Sequence, residues 1–196
     1  MGEIQTPPLS HLALALATAG GLRRFVETGT FVGNSVRWAA QHFERVWTVE
    51  INPDYQRQAK ENVGPLPNVE FILGNSADHI ERICRELDGP ALFWLDAHAG
   101  AGFFGTDDNC PLLDELKICL ASSADHCILI DDARAFVAPP PPPFDYRKWP
   151  SLDEVMAVIL KQPDRHVAVI TDVMIVVPAA LRDLVAQYCF EVRPAI

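Results

Sequence analysis

The sequence has few basic residues. Its 196 residues contain 16 Lys and Arg against 26 Asp and Glu, which gives a formal net charge of −10. Nucleic-acid affinity depends on Lys and Arg replacing phosphate counterions, and here the basic residues are scattered. The composition therefore argues against a nucleic-acid partner and favours small or cationic ligands.

Long apolar runs and paired cysteine motifs are also missing. The apolar stretch 12–17 is too short to span a bilayer, and the residues before it include Glu3 but no Lys or Arg, unlike a signal peptide. The five cysteines are odd in number and show no C-x-x-C spacing, so they indicate neither a disulfide framework nor a zinc site. We expect a cytoplasmic protein with no membrane partner.

The composition is typical of a globular protein, with 49% apolar and 21% charged residues. The length suits one core, so we predict a single domain over 1–196, with an N-terminal helix inside 1–22. Five consecutive prolines, 139–143, predict a stiff extended surface loop within 135–150. This loop is interpreted as a spacer, although a ligand for proline-binding modules is the alternative.

Segments rich in β-branched and aromatic residues alternate with helix-like segments, which is typical of parallel α/β sheets. The predicted strands are 25–27, 46–49, 69–73, 91–95, 127–130, 167–170 and 174–177. The predicted helices are 10–18, 35–42, 53–62, 77–87, 111–120 and 151–160. Together they predict an α/β fold with a Rossmann-like, mostly parallel seven-stranded sheet, helices on both faces and a C-terminal antiparallel hairpin.

The most informative segment is FVETGTFVGNS, residues 25–35. It places Glu27 at a strand end, then Gly29 and Gly33, then a helix start. Such a strand-to-helix turn presents free backbone N–H groups to a cofactor. Phe31 occupies the position where the dinucleotide fingerprint needs a glycine, so NAD and FAD are disfavoured and a cofactor without phosphates fits better.

A second acidic residue ends the next predicted strand. Glu50 follows Glu27 by 23 positions and closes the run VWTVE. A carboxylate there can accept hydrogen bonds from both hydroxyls of a ribose, which indicates an adenosine. A solvated surface glutamate is the alternative interpretation.

With these motifs, and with GNSAD at 74–78 and LDAH at 95–98, the chain resembles the class I S-adenosylmethionine-dependent methyltransferases over roughly 25–177. The resemblance implies S-adenosylmethionine as cofactor. In this family the first motif binds the methionine part, the acid after the second strand binds the ribose, and residues after the third strand border the adenine. Asp78 is a further candidate for the adenine contact. The implied cofactor-binding residues are Glu27, Gly29, Thr30, Gly33, Asn34, Ser35, Glu50, Asn75, Ser76 and Asp96.

Four further polar residues follow the fourth and fifth predicted strands: Asp96, His98, Asp131 and Asp132. A parallel sheet places them at one edge, where three carboxylates favour a divalent cation with Asp96, Asp131 and Asp132 as ligands. The arrangement resembles that of the catechol and macrocin types of O-methyltransferase, which use magnesium. Alternatively, Asp131 or Asp132 caps a loop or pairs with Arg134.

His98 is the candidate general base, because imidazole titrates near neutral pH. Asp96 and Asp131 are the other catalytic candidates. A hydrogen-bonded surface histidine is the alternative. The glycine-rich segment 99–109 is interpreted as a lid carrying Phe103 and Phe104. Beyond the prolines, three aromatic side chains either form a wall of the acceptor pocket or pin loops to the core. They are Phe144, Tyr146 and Trp149.

The sequence thus favours a methyltransferase that methylates a hydroxyl of a small metabolite with a divalent metal. The alternatives are a metal-independent N- or protein methyltransferase and a non-catalytic module that binds S-adenosylmethionine. A nucleotide-dependent hydrolase or oxidoreductase on a related sheet is a third class. A small-molecule acceptor is the expected partner, and a homo-oligomer is compatible with the sequence.

Overall fold

The computed structural model describes residues 3–98, 110–138, 140–142 and 144–191. Its centre is a seven-stranded sheet in the order β3-β2-β1-β4-β5-β7-β6. The first five strands are parallel, β7 is antiparallel to β5, and β6 is antiparallel to β7, so the predicted fold class is confirmed. The strands are β1 (Arg24–Thr28), β2 (Arg45–Glu50), β3 (Val69–Leu73), β4 (Ala91–Leu95), β5 (Cys127–Ile130), β6 (Arg165–Ile170) and β7 (Val173–Pro178).

Eight α-helices lie in the described residues. They are α1 (Leu9–Gly20), α2 (Asn34–His42), α3 (Pro53–Val63), α4 (Ser76–Glu86), α5 (Leu112–Ala121), α6 (Arg134–Val137), α7 (Leu152–Ile159) and α8 (Arg182–Glu191). Within the described part of the chain, no helix is long and apolar enough to cross a membrane.

The helix ends follow local sequence signals. Gly21 ends α1 in the left-handed conformation, with φ 63°. The side chain of Asn52 accepts a hydrogen bond from the Asp54 N–H at 2.8 Å, and Pro53 fills the first helical position of α3. Ser151 and Glu154 form the predicted capping box of α7.

The sheet buries both of its faces. On one face Val26 and Phe93 pack with α4, α5 and α7, and on the other face Phe25 and Trp94 pack with α1, α2 and α8. All four side chains are at most 2% exposed, and burying each contributes about 1.5–3 kcal/mol. This two-sided burial explains why the parallel strands read as near-continuous apolar runs.

The structure differs from the sequence prediction in two segments. The predicted loop 135–150 begins inside α6 and contains a 3₁₀ turn at Tyr146–Lys148. Phe136 and Trp149 are buried there, so both ends of the segment fold onto the core. Helix α8 was not predicted. Val185 is buried against the second face, and Leu184, Tyr188 and Cys189 pack there partly buried.

Candidate active site

The strand ends meet along one edge of the sheet. There the predicted site residues of five parallel strands lie beside one another. The backbone hydrogen bonds that join these ends run from Gly29 N to Val49 O (2.9 Å), Gly74 N to Glu50 O (2.9 Å), Asp96 N to Thr28 O (3.0 Å) and Asp131 N to Leu95 O (3.1 Å).

The turn after β1 needs its two glycines for the packing of the chain itself. Gly29 and Gly33 have φ of 85° and 83°, which favours glycine. A Cβ at Gly29 would lie 2.7 Å from the carbonyl carbon of Asp96, and a Cβ at Gly33 would lie 2.7 Å from Cγ2 of Val63. Phe31 between them also has a positive φ, 48°, in a conformation that costs a bulky residue free energy.

Glu50 meets this turn directly. Its Oε2 accepts a hydrogen bond from the Phe31 N–H at 2.8 Å, and its Oε1 accepts one from the Asn52 N–H at 2.9 Å. The residue is only 6% exposed, and burial raises the pKa of its carboxyl while the backbone hydrogen bonds lower it. The N–H groups of Thr30 and Ile51 also lower the pKa of this carboxyl, so the backbone of the turn and of the residues after β2 surrounds it.

Glu27 lies beneath the turn and is fully buried. Its carboxyl accepts hydrogen bonds from the hydroxyls of Ser35 and Thr48, the latter at 2.7 Å, and the Thr48 hydroxyl also lies 2.5 Å from that of Thr30. Burial raises the pKa of Glu27 to about 8. Glu27, Thr30 and Ser35 therefore form one network under the turn, and their contact with a cofactor stays a prediction.

Sequence reasoning missed Thr48 and Tyr55. Thr48 pairs in register with Glu27, and a signal for it is its position two residues before Glu50, which places both side chains on the same face of β2. Tyr55, in the first turn of α3, packs its ring edge-on against Phe31 with centroids 4.9 Å apart.

The residues after β3 border the same edge. Asn75 caps α4, because its side chain accepts a hydrogen bond from the Ala77 N–H at 3.1 Å. Ser76 is 5% exposed at the first position of that helix, and Asn34 begins α2 with an exposed side chain. Their predicted contacts with the cofactor are not tested by this geometry.

The acidic residues form a compact cluster beside the turn. Asp96, His98 and Asp131 each offer a ligand atom, and these atoms lie within 4.8 Å of one another. His98 Nε2 is 3.0 Å from Asp96 Oδ1 and 3.4 Å from Asp132 Oδ2. Burial raises the pKa of Asp96, which the hydrogen bond and charge of His98 oppose. Asp131 is only 1% exposed.

Asp132 differs from the other predicted metal ligands. Its backbone adopts φ 51°, and its Oδ1 lies 3.3 Å from Nη2 of Arg134. Arg134 also contacts Asp172 in the β6–β7 turn, with Nε 3.2 Å from Oδ2. The pairing of Asp132 with Arg134, one of the two sequence interpretations, is therefore present. The residues whose ligand atoms come together are Asp96, Asp131 and His98, and the sequence predicted His98 as a base and not as a ligand.

Trp149 forms an aromatic wall behind the cluster. Its ring centroid lies 5.2 Å from that of His98, 5.8 Å from that of Phe144 and 6.5 Å from that of Phe136. Tyr146, by contrast, is 62% exposed. The predicted lid residues Phe103 and Phe104 lie outside the described residues.

No protein-family model and no curated protein matches the chain. Solved structures do match. The tomaymycin-synthesis O-methyltransferase TomG from Streptomyces achromogenes, in complex with S-adenosylmethionine, is 20% identical with a TM-score of 0.64, and the match covers 88% of this chain and 80% of that one. An O-methyltransferase from Bacillus cereus in complex with S-adenosylhomocysteine is 19% identical with a TM-score of 0.62, and the match covers 88% of this chain and 81% of that one. A methyltransferase from Podospora anserina, also bound to S-adenosylhomocysteine, is 18% identical with a TM-score of 0.60, and the match covers 89% of this chain and 80% of that one. At these identities the likeness shows a shared fold.

Proposed function

We propose that this chain, which has the fold of the class I S-adenosylmethionine-dependent methyltransferases, transfers a methyl group from S-adenosylmethionine to a hydroxyl of a small acceptor. The observation that carries the proposal is the contact between the Phe31 N–H and the Glu50 carboxylate at 2.8 Å. This contact supports a cofactor site in which the strand-to-helix turn and Glu50, the buried acid proposed to bind the ribose, act together.

The cofactor would occupy the edge between the turn and the end of β2. Backbone N–H groups, among them those of Phe31 and Asn52, hold the Glu50 carboxylate in a fixed orientation at the edge where ribose hydroxyls would bind. The exposed face of Phe31, 43% of its surface, offers an apolar contact next to that acid. Glu27, with its raised pKa, supports the turn from below through Ser35.

The cluster of Asp96, His98 and Asp131 fits a divalent cation. Asp96 and Asp131 offer carboxylate oxygens, which are the ligands that a hard divalent cation prefers, and a nearby positive charge stabilises a carboxylate as buried as that of Asp131. When bound, such an ion supplies the charge that lowers the pKa of an acceptor hydroxyl. We propose magnesium, with Asp96 and Asp131 as ligands and Asp132 as the third acid of the site.

His98 would hold or remove the acceptor proton at Nε2, which lies between the carboxylates of Asp96 and Asp132. The same nitrogen cannot bind a metal and take up a proton at once. The engagement of Asp132 by Arg134 favours a second candidate, a metal-independent methyl transfer in which His98 alone serves as base.

The acceptor would lie against Trp149. On one side this ring contacts His98, and on another it lines a cleft of about 230 Å³ together with Cys110, Lys117 and Arg147. A cytoplasmic location, a single domain and the absence of nucleic-acid and membrane partners remain predictions from the sequence.

Two linked measurements test the proposal. Calorimetry with S-adenosylhomocysteine should show binding with or without magnesium, whereas NAD at the same concentration should not bind. A methyl-transfer assay with a panel of small hydroxyl compounds should show turnover that disappears with a chelator and returns with magnesium. Binding without turnover on any acceptor would favour the non-catalytic module, and turnover that survives the chelator would favour the metal-independent enzyme.

A further inference from the structure

The turn between β6 and β7 reaches the acidic cluster through Asp172. This turn consists of Thr171 and Asp172, because Ile170 pairs directly with Val173 across the hairpin. The beginning of β7 lies beside the end of β5, so the turn borders the residues that follow β5. Asp172 is not one of the predicted site residues.

Asp172 holds the segment after β5 by its backbone and by its side chain. Its main-chain carbonyl accepts a hydrogen bond from the Ala133 N–H at 2.9 Å, and its Oδ1 accepts one from the Arg134 N–H at 3.0 Å. Its Oδ2 lies 3.2 Å from Nε of Arg134. Burial opposes the ionisation of Asp172, but the hydrogen bond from the Arg134 N–H helps to lower its pKa, so the side chain is a carboxylate at neutral pH.

The guanidinium of Arg134 connects Asp172 to Asp132. Nη2 of Arg134 lies 3.3 Å from Oδ1 of Asp132, and the other oxygen of Asp132, Oδ2, lies 3.4 Å from Nε2 of His98. A guanidinium can bind both oxygens of one carboxylate through two parallel N–H groups. Because Asp172 occupies Nε, the fork formed by Nε and Nη2 is shared between two acids, and Oδ2 of Asp132 stays directed at the histidine.

The backbone on both sides of these contacts is strained. Asp132 has φ 51° and Thr171 has φ 57°. The left-handed region is costly for residues that carry a Cβ, above all for a β-branched residue such as Thr171. Such conformations persist where the surrounding structure restrains them, and they occur often at functional sites. The hydrogen bonds from Ala133 and Arg134 to Asp172 supply this restraint for the turn that carries Asp132.

We propose that Asp172 is a positioning residue, which acts through Arg134 to hold the carboxylate of Asp132 against His98. The inference rests on the proposed function, because it concerns the acids and the histidine that would serve the cation and the acceptor proton. Asp172 itself touches none of the reacting atoms. Without its carboxylate, the guanidinium would be free to bind both oxygens of Asp132, and Oδ2 would turn away from the histidine.

Crystal structures of the full-length variants, grown without added metal, test the placement directly. In Asp172→Ala we expect the separation between Asp132 Oδ2 and His98 Nε2 to increase by about 1 Å or more, a displacement that matters at a functional site. Asp172→Asn is the second variant. Its amide oxygen still accepts from the Arg134 N–H, but it has no charge for the guanidinium, so it should fold normally and show a smaller displacement.

Solution measurements test the consequence for the site. The dissociation constant of Mn²⁺, measured by calorimetry, and the inverse of kcat should each rise about 10- to 100-fold in Asp172→Ala, and less in Asp172→Asn. The affinity for S-adenosylhomocysteine should stay unchanged, because Asp172 has no contact with the half of the site around Glu50. A general loss of structure would instead weaken all three.

Asp88→Ala is the matched control. It also breaks a pair of an aspartate and an arginine, that of Asp88 with Arg24, at the opposite end of the sheet, and it should change none of these readouts. The proposal is overturned if Asp132 keeps its place beside His98 in Asp172→Ala, or if metal affinity and kcat fall no further than in Asp88→Ala. If the natural protein neither binds Mn²⁺ nor transfers a methyl group, the proposed function fails, and the crystal structures still decide whether Asp172 positions Asp132.

Discussion

The two halves of the candidate site stabilise their buried acidic residues in different ways. In the half around the turn, Glu27 and Glu50 receive hydrogen bonds from hydroxyls and backbone N–H groups of the chain itself. In the other half, Asp96 and Asp132 share one imidazole, and Asp132 also pairs with Arg134. Neutral donors thus organise the first half, whereas charge organises the second.

This difference has a consequence for ligand binding. Donors fixed by the backbone hold their geometry with or without a ligand, so the first half is preorganised for a cofactor. The second half gathers three carboxylates around one histidine and one arginine, and further positive charge there would lower its free energy. We therefore expect substitutions in the two halves to separate binding from catalysis.

The largest effect is expected at Asp131. Replacing it with Asn removes a nearly buried carboxylate from the cluster. Magnesium-dependent methyl transfer should fall at least about 100-fold, because several kcal/mol of charge stabilisation are lost. Binding of S-adenosylhomocysteine, measured by calorimetry, should change less than about threefold. Asp125→Asn, at the exposed opposite end of β5, should keep full activity, and equal loss in both variants would contradict the assignment.

A smaller effect, on the other half, is expected for Glu50→Gln. The amide keeps the size of the side chain but replaces one acceptor oxygen with a donor, which opposes either the Phe31 N–H or a ribose hydroxyl. The dissociation constant of S-adenosylhomocysteine should rise about 10- to 100-fold. Glu44→Gln, an exposed residue at the opposite end of β2, is the control. Unchanged affinity in Glu50→Gln would remove the ribose role.

The sequence predicted the fold better than the interior of the site. The alternation of strands and helices predicts parallel strands whose carboxyl ends share one edge, so the meeting of Glu50 with the turn could be anticipated. The hydroxyl network under Glu27 could not, because Thr48 reads as an ordinary strand residue until its register with Glu27 is known. The position of His98 between two acids likewise depends on loop conformation, which periodicity does not encode.

An intermediate effect on stability is expected from Glu27. Its pKa is about 8 in the folded protein and near 4.5 when unfolded, so the folded state binds the extra proton between these values. Stability therefore decreases as pH rises through this window, by up to about 1.4 kcal/mol per pH unit. Urea unfolding at pH 6.5, 7 and 8 should show a clear decline for the natural protein and a weaker one for Glu27→Gln. Parallel declines would refute a buried, protonated Glu27.

Below pH 6.5, the decrease in stability with rising pH that Glu27 causes should be masked by the opposite effect of His126. This buried histidine accepts a hydrogen bond from the Ala91 N–H, and burial lowers its pKa to about 4. The unfolded state then binds the extra proton, so stability falls as pH drops from about 6.5 to 4, opposite to the effect of Glu27. In Glu27→Gln the histidine acts with less opposition, and the loss of stability toward acid should become steeper than in the natural protein.

The smallest effect is expected at Phe31, where two substitutions separate the cost of its backbone conformation from the contribution of its ring contact. Phe31→Ala and Phe31→Gly both remove the ring that packs against Tyr55, but only glycine accepts φ 48° without steric cost. The glycine variant should therefore be more stable than the alanine variant by about 1 kcal/mol in urea unfolding. If the ring contacts the cofactor, both variants should bind S-adenosylhomocysteine equally weakly. An alanine variant as stable as the glycine variant would show that the turn relaxes, and that the backbone holding the Glu50 contact is not fixed in advance.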